Sequence, residues 1–259
     1  RSFNELELNS IELITKKSND LSGEIYYYQN IPNKIKDLFP LMIDYDIKNK
    51  WYKVEKINGL SLNEYYLSEL LTEELLKNVM NSIKRLQSIE TNSNINIYAN
   101  YCNKLEKRFK NYDYSKFSNS KENYKFIYNY LKKYENENRG KQTVIHGDPV
   151  LTNILINQFG KIKFIDMRGK IDNQLSIEGD YLYDWAKLYQ SFIGYDKILM
   201  NKNINIKYEE KMKKIFEDYF IELYDEDKLK DLKIITKNLL FTLIPLHDND
   251  KCKLYYKLI

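Results

Sequence analysis

Short segments in which apolar and polar residues alternate make up most of the beginning of the chain. Four of them, Glu5–Leu8, Ile11–Lys17, Met42–Ile47 and Trp51–Ile57, carry apolar or aromatic residues in rough alternation. This period predicts β-strands. The segment Leu21–Gln29 lies among these strands and predicts a helix.

After Asn58-Gly59 the pattern changes to helical spacing. Thr72 is a predicted N-cap, because Glu73 and Glu74 follow it and an apolar stripe begins at once. The stripe consists of Leu75, Leu76, Val79, Ile83 and Leu86. Further amphipathic helices are predicted around 97–110, 122–136, 180–193, 207–223 and 227–244. A strand-rich lobe is therefore followed by a helical lobe.

The segment Gln142–Asp166 interrupts the helical part. Two apolar strands, Ile154–Ile156 and Lys161–Ile165, are joined by a short turn that ends in Gly160, which indicates a β-hairpin. The open ends of a hairpin lie side by side, so Asn153 is expected next to Asp166. Asp148 precedes this pair by one short loop.

Composition excludes several classes of protein. The 259 residues include 41 Lys and Arg against 37 Asp and Glu, and no block of like charge indicates a nucleic-acid or membrane-surface binder. Cys102 and Cys252 lack the spacing of a zinc site or disulfide framework, so a cytoplasmic setting is expected. No apolar run is long enough for membrane insertion. Because the chain opens at Arg1 without Met, a domain fused upstream is also an expectation.

The hairpin region carries residues suited to phosphoryl transfer. Amide and carboxylate oxygens bind hard divalent ions such as Mg²⁺, so Asn153 and Asp166 are predicted metal ligands. A kinase also needs a carboxylate that orients the attacking hydroxyl, and an Asp five residues before a metal-binding Asn is the recurring arrangement. Asp148 occupies that position. His146 is expected to hold this catalytic loop by hydrogen bonds rather than to act as a base.

Three separated segments resemble one known family. They are His146-Gly147-Asp148-Pro149-Val150-Leu151-Thr152-Asn153-Ile154-Leu155, then Phe164-Ile165-Asp166, then Gly179-Asp180-Tyr181-Leu182-Tyr183-Asp184-Trp185-Ala186. Together they are similar to the signature of the aminoglycoside phosphotransferase and choline kinase family. The resemblance implies a protein-kinase-like fold that uses Mg²⁺ with ATP or GTP. It also implies Asp148 as catalytic base, Asn153 and Asp166 as metal ligands, and Asp184 as a buried acceptor that braces the loop.

The first lobe resembles the same family more loosely. Ile11–Lys17 resembles the strand that ends in the ATP-binding Lys; alternation does not decide between Lys16 and Lys17, and Lys17 is the predicted residue. Glu24 is its expected ion-pair partner. The stretch Val54-Glu55-Lys56-Ile57-Asn58-Gly59 resembles the hinge strand, whose backbone receives adenine, and Glu55 and Ile57 are the residues expected to contact it. The stretch Arg1-Ser2-Phe3-Asn4 lies where a phosphate-covering loop belongs, without the expected glycines.

A weaker similarity concerns the acceptor. The opening Arg1-Ser2-Phe3-Asn4, the stretch Leu21–Pro32 and the late Pro245-Leu246-His247-Asp248 resemble phosphotransferase domains of bacterial surface-polysaccharide loci. This resemblance favours a sugar or polyol acceptor, with His247 and Asp248 as candidates to line its pocket. The same two residues could equally end a helix.

Three further features leave alternatives open. Asp180 is a candidate for a structural or acceptor contact, and Arg168 is expected to pair either with phosphate or with a neighbouring carboxylate. Tyr181, Tyr183 and Trp185 have the spacing of core residues, although an aromatic cage for a choline-like ammonium group remains open.

The expected fold class is α+β, a protein-kinase-like two-lobe fold with a small antiparallel sheet and a larger helical lobe. Residues 1–57 are expected to cover the nucleotide, and residues 58–259 to hold the catalytic loop, metal site and acceptor pocket. The predicted function is ATP- and Mg²⁺-dependent phosphoryl transfer to a small-molecule hydroxyl: a sugar, a polyol, or a choline- or ethanolamine-like acceptor. The alternative is a pseudokinase that binds nucleotide for regulation or scaffolding. A protein kinase is disfavoured, because the segment from Asp166 to Asp184 is short and lacks the APE landmark.

Overall fold

The computed structural model describes residues 4–8, 12–48, 50–247 and 249–259. Its first part is a four-stranded antiparallel sheet in the order β1-β2-β4-β3. The strands are β1 (Asn4–Leu8), β2 (Leu13–Ser18), β3 (Met42–Asp46) and β4 (Trp51–Glu55). Between β2 and β3 the chain forms helix α1 (Ser22–Asn30) and a 3-10 helix (Asn33–Leu38). The small antiparallel sheet expected at the start of the chain is confirmed.

Alternation in β4 decides which face of this sheet is covered. Tyr52 and Val54 are buried, whereas Trp51, Lys53 and Glu55 are only half-buried. Tyr52 packs against Tyr28 of α1, with 5.5 Å between the ring centroids. The helix therefore covers the Tyr52 face of the sheet.

The larger part of the chain is mainly helical, as expected. Its helices are α2 (Leu62–Leu67), α3 (Glu73–Gln87), α4 (Cys102–Asn111), α5 (Ser120–Asn136), α6 (Tyr181–Phe192), α7 (Tyr195–Met200), α8 (Ile206–Leu223), α9 (Glu226–His247) and α10 (Cys252–Tyr256). Thr72 caps α3 by accepting a hydrogen bond from the Leu75 N–H, so the predicted cap is confirmed. Among the described helices, none is both long and apolar enough to cross a membrane.

Helix α6 lies at the centre of this helical part and packs against α3, α8 and α9. Its residues are buried except Lys187, which is half-buried. Trp185 is fully buried and contacts Phe216 and Phe220 of α8 through edge-on ring contacts. This packing fixes the helix that carries Asp184 and Lys187.

Short strands form the frame of the predicted catalytic region. They are β5 (Gly59–Ser61), β6 (Gln142–Val144), β7 (Ile154–Asn157), β8 (Ile162–Phe164), β9 (Lys170–Ile171), β10 (Gln174–Leu175) and β11 (Glu178–Asp180). The predicted hairpin is β7-β8, with Ile154 opposite Phe164. Strand β5 adds to β7 as a third strand, and β6 pairs with β11. Strands β5, β6 and β11 and the β9-β10 hairpin were not predicted, because two- and three-residue strands are too short to show a period.

Candidate active site

Lys16, rather than Lys17, points to the covered face of the first sheet. Its ammonium lies 2.7 Å from Glu24 Oε2 and 2.9 Å from Asp166 Oδ1. Lys17 instead pairs with Glu7 at 2.5 Å, where both side chains are exposed. The prediction that Lys17 faces inward is therefore wrong, and Glu24, its expected partner, pairs with Lys16 instead.

Strand pairing explains this orientation. Residues directly opposite each other on neighbouring strands point to the same face. Lys16 is opposite Tyr52, which is buried and donates a 2.6 Å hydrogen bond to Glu24 Oε2. Burial raises the pKa of Glu24, and the Lys16 ammonium opposes that rise.

Two glycines bring α1 against the backbone that follows Asp166. Gly169 has a φ of +59°, and a Cβ there would lie 1.8 Å from the carbonyl oxygen of Gly23. A Cβ on Gly23 would lie 2.3 Å from the carbonyl oxygen of Arg168. Only glycine allows such an approach at these positions. The contact places Glu24, the next residue of α1, close to the segment that carries Asp166.

His146 holds the catalytic loop in its neutral form. Its Nδ1 accepts the N–H of Asp148 at 3.1 Å, so its Nε2 carries the proton and donates to the Ile165 carbonyl at 3.0 Å. Burial lowers the pKa of His146 to about 4. Both ring nitrogens are thus engaged within the protein and burial disfavours the charged form, so the imidazole links the two segments by hydrogen bonds.

Asp184 braces the same loop from α6. Its two carboxylate oxygens accept the N–H of His146 at 2.6 Å and the N–H of Gly147 at 2.8 Å. The side chain is fully buried, and burial raises its pKa to about 7, although both donors favour the ionised form. Gly147 has a φ of +85°, so a left-handed residue turns the loop at the braced position.

Asn153 and Asp166 meet at the open end of the β7-β8 hairpin. The N–H of Ile165 donates to the Asn153 carbonyl at 3.0 Å, which brings the neighbouring Asp166 alongside. The Asn153 amide N–H donates to the Asp148 carbonyl at 2.9 Å, which leaves the amide oxygen for another partner. Asp166 adopts a φ of +61°, a backbone conformation that non-glycine residues rarely take and that is common at functional sites.

This donor set fits a magnesium ion. One amide oxygen and one carboxylate, of which the latter is 33% exposed, leave room for waters and nucleotide phosphates, the ligands that Mg²⁺ prefers. The described part of the chain contains no group of three or more His, Cys, Asp or Glu side chains that could hold a metal ion by itself. A metal bound here would complete its shell with waters and phosphate oxygens.

Asp148 forms an ion pair that the sequence did not indicate. Lys187 of α6 places its ammonium 2.9 Å from Asp148 Oδ1, and the two side chains are 13% and 9% exposed. Lys187 lies one turn beyond Asp184, so one face of α6 supplies both the brace of the loop and the partner of its carboxylate.

Further cations surround Tyr183, next to Asp148. The Arg168 guanidinium donates to the Tyr183 hydroxyl at 2.6 Å and lies over its ring, 5.2 Å from the centroid. Its hydrogen-bond partner is thus a phenol, and the neighbouring carboxylates Asp148 and Asp184 also interact electrostatically with the guanidinium. Lys104 and Arg108 of α4 also interact electrostatically with Tyr183. Burial raises the pKa of the Tyr183 phenol, but Arg168, Lys104 and Lys187 outweigh it and lower that pKa to about 7.

Three further candidates, Asp180, His247 and Asp248, are not part of this group around Asp148. Asp180 is buried and accepts hydrogen bonds from the hydroxyls of Tyr101 at 2.6 Å and Tyr134 at 2.8 Å, a structural contact. His247 ends α9, with its ring 5.7 Å from that of Tyr255. Asp248 lies outside the described residues.

The hinge candidates lie at the end of the first sheet. Glu55 is the last residue of β4, and Ile57 follows in the link to β5. The Glu55 N–H donates to the Leu41 carbonyl at 3.0 Å. The expected phosphate-covering stretch falls outside the described residues except for Asn4, which begins β1, and so do residues 9–11 between β1 and β2.

Lys187, Lys104 and Arg108 are the site residues that sequence reasoning missed. On an amphipathic helix a Lys or Arg usually belongs to the solvated face. The available signal was spacing: Lys187 shares a face with Asp184, and Lys104 and Arg108 are four residues apart on α4.

The same architecture occurs in solved structures of other proteins. No protein-family model and no curated protein sequence matches the chain. Among solved structures, the choline kinase LicA of Streptococcus pneumoniae matches with a TM-score of 0.64 and 14% identity, over 99% of this chain and 88% of that one. A choline/ethanolamine kinase family protein of Mesorhizobium loti has a TM-score of 0.64 and 12% identity, over 98% and 82% of the two chains. An aminoglycoside phosphotransferase of Streptomyces rimosus has a TM-score of 0.58 and 14% identity, over 92% of each chain. The chain thus has the protein-kinase-like fold of these small-molecule kinases, which confirms the expected fold class.

Proposed function

We propose that this protein transfers the γ-phosphoryl group of ATP, in the presence of Mg²⁺, to a hydroxyl group of a small molecule. One observation carries the proposal: a continuous set of bonds joins Asp148, Asn153, Asp166 and Lys16. The Asn153 amide donates to the Asp148 backbone, the Asn153 carbonyl accepts the N–H that precedes Asp166, and Asp166 pairs with Lys16. Phosphoryl transfer needs a base, metal ligands and a phosphate-binding cation close together, and this bonded set would supply them.

The nucleotide is proposed to lie between the first sheet and the hairpin. Lys16, oriented by Glu24, would contact its phosphates, and the backbone from Glu55 to Ile57 would receive the base. Residues 1–57 would then cover the nucleotide while residues 58–259 hold the acceptor. In support, LicA has been solved with AMP and the Streptomyces rimosus enzyme with ADP and streptomycin. GTP is the alternative donor.

The acceptor hydroxyl is proposed to bind beside Asp148. Its carboxylate would orient the hydroxyl and accept its proton as the oxygen attacks phosphorus, while the bond to the departing ADP breaks. Lys187, 2.9 Å from Asp148 Oδ1, would hold this carboxylate in place and could also neutralise charge on the transferred group. Asn153 and Asp166 would hold magnesium, which would supply charge neutralisation at the phosphates. Catalysis would then be mainly positioning and electrostatics.

The test is nucleotide turnover with Mg²⁺ across sugars, polyols, their phosphates, choline, ethanolamine and aminoglycosides. Asp148→Asn keeps the size of the side chain and removes the base, whereas Asp218→Asn changes an exposed carboxylate in an ordinary i,i+4 surface pair. We expect acceptor-stimulated turnover that falls at least about a thousandfold in Asp148→Asn and is unchanged in Asp218→Asn. Nucleotide binding without turnover on any acceptor would instead support the pseudokinase.

A further inference from the structure

Four cationic side chains lie around Asp148 and Tyr183, a set we call the basic cluster: Lys104, Arg108, Arg168 and Lys187. Lys187 pairs with Asp148, and Arg168 contacts Tyr183. Burial lowers the pKa of Lys104 to about 8, and its electrostatic neighbours are Tyr183 and the other three cations. Arg108 donates to the carbonyl of Thr242 in α9.

Positive charge exceeds negative charge in this region. Asp148 is paired by Lys187, and both oxygens of Asp184 accept backbone N–H groups. Lys104 forms no ion pair with any carboxylate in the described ranges. Grouping half-buried cations without enough partner acids is unfavourable unless an anion completes the site.

The same region does not suit a cationic acceptor. A quaternary ammonium group needs open aromatic faces, and Arg168 already lies over the ring of Tyr183. Tyr181 and Trp185 are buried in the helical core against Tyr224 and Phe220, so they do not complete a cage. An amine or ammonium would also approach the four cations of the basic cluster.

We propose that the acceptor is an anionic small molecule, a hydroxyl compound that also carries a phosphate or carboxylate group held by Lys104, Arg108 and Arg168. This inference rests on the proposed function, because it names the substrate class of that same site. The anionic group would anchor the acceptor while its hydroxyl reaches Asp148, and Arg side chains suit phosphate and carboxylate because they donate two parallel hydrogen bonds.

The position of the basic cluster favours the acceptor over the nucleotide. The proposed phosphate contacts of the nucleotide, Lys16 and Asp166, belong to β2 and to the end of the hairpin. Lys104 and Arg108 belong to α4, which packs on α5 and α9 in the helical part. The basic cluster thus extends from Asp148 into the helical lobe.

Binding is the first measurement, made by calorimetry without nucleotide. The ligands are glycerol 3-phosphate, glycerate, glucose 6-phosphate and gluconate, each beside its neutral counterpart glycerol or glucose, with choline and ethanolamine as cations. Lys104→Gln tests the cluster and Lys107→Gln, an exposed position on the same helix, is its control. Because burial disfavours the charge of Lys104, Lys104→Gln is expected to fold normally.

We expect at least one of the four acids to bind, its Kd to rise about tenfold in Lys104→Gln, and no change in Lys107→Gln. The Kd of ATP should be the same in all three proteins. Binding of none of the acids, equal effects of the two variants, or a loss of ATP affinity alone in Lys104→Gln would each overturn the proposal. Comparing the Kd values of the two phosphate compounds with those of the two carboxylate compounds would show which anionic group the site prefers.

Turnover of Mg·ATP with the same compounds separates this inference from the proposed function. Turnover with kcat/KM at least tenfold higher for an acid than for its neutral counterpart supports both. Equal or better turnover with choline, ethanolamine or the neutral compounds would overturn the anionic acceptor and keep the phosphotransferase. Acid binding that depends on Lys104, without turnover on any compound, would keep the anionic site and reject the proposed function.

Discussion

Replacement of Lys16 by Met should destabilise this protein far more than replacement of Lys17. Lys16→Met leaves Glu24 and Asp166, 18% and 33% exposed, facing each other without their shared cation. Removal of one partner from a fully buried ion pair costs about 3–5 kcal/mol, and the partial exposure of Asp166 reduces this to about 2–3 kcal/mol. Lys17 and Glu7 are 41% and 50% exposed, so Lys17→Met should cost less than about 1 kcal/mol.

Urea and thermal unfolding, followed by the fluorescence of Trp51 and Trp185, would measure the difference. At about 2–4 °C per kcal/mol for a protein of this size, Lys16→Met should melt about 5–10 °C lower and Lys17→Met within about 3 °C of the wild type. Affinity for Mg·ADP should fall only in Lys16→Met. An equal or larger loss in Lys17→Met would refute the inward orientation of Lys16.

The pH dependence of this loss provides a second check. Burial already raises the folded-state pKa of Glu24 above its usual 4.5, and removal of the Lys16 ammonium would raise it further. A carboxyl with a raised folded pKa favours folding most at low pH and loses that contribution as the pH rises through the folded pKa. The deficit of Lys16→Met should therefore shrink between pH 7.5 and pH 5. A deficit independent of pH would contradict this account.

Three further perturbations test the frame of the site. Gly169→Ala should cost at least about 2 kcal/mol because its Cβ would lie 1.8 Å from the Gly23 carbonyl, whereas Gly160→Ala, also at positive φ but facing open space, should cost about 1 kcal/mol. Equal losses in urea unfolding would contradict the close approach. The pKa of His146 is lowered from 6.5 to about 4, so only the unfolded state takes up the proton as the pH falls from 6.5 to 4. The free energy of unfolding should therefore fall by about 3 kcal/mol over this range. His146→Gln should lose this pH dependence, and the same dependence in His146→Gln would refute the explanation. Asp184→Asn should cost about 3 kcal/mol and abolish turnover, since an amide offers one acceptor oxygen to two buried N–H donors; a fully stable, active variant would show that the brace is dispensable.

The catalytic loop and hairpin were predictable because their signals are local. Asn153 and Asp166 are joined by one short hairpin, and the apolar alternation with a Gly-bearing turn predicts that they meet. In the structure Ile154 lies opposite Phe164, so the two open ends of the hairpin are neighbours. Asp148 lies five residues before Asn153, within reach of the same motif.

The orientation of Lys16 was not predictable from β2 alone. Alternation leaves both lysines open, and the choice depends on pairing with β4, where Tyr52 points toward α1. The contact of Gly23 with Gly169 is likewise non-local and shows no period in the sequence. Single-strand patterns identify faces, whereas the partner strand decides which face is inside.

The residues proposed to bind the acceptor could not be predicted from short motifs for a related reason. The groups proposed to handle nucleotide and metal lie in short motifs, because any ATP-dependent phosphotransferase needs the same base, amide and carboxylate in one small volume. The acceptors differ among the matched kinases of this fold, and the contacts proposed for the acceptor here come from separate helices: Lys104 and Arg108 from α4, and Lys187 from α6. Packing of α4 and α6 against α9 brings these helices together. Charge around Asp148, rather than the motif that contains it, is therefore the property from which we infer the proposed acceptor.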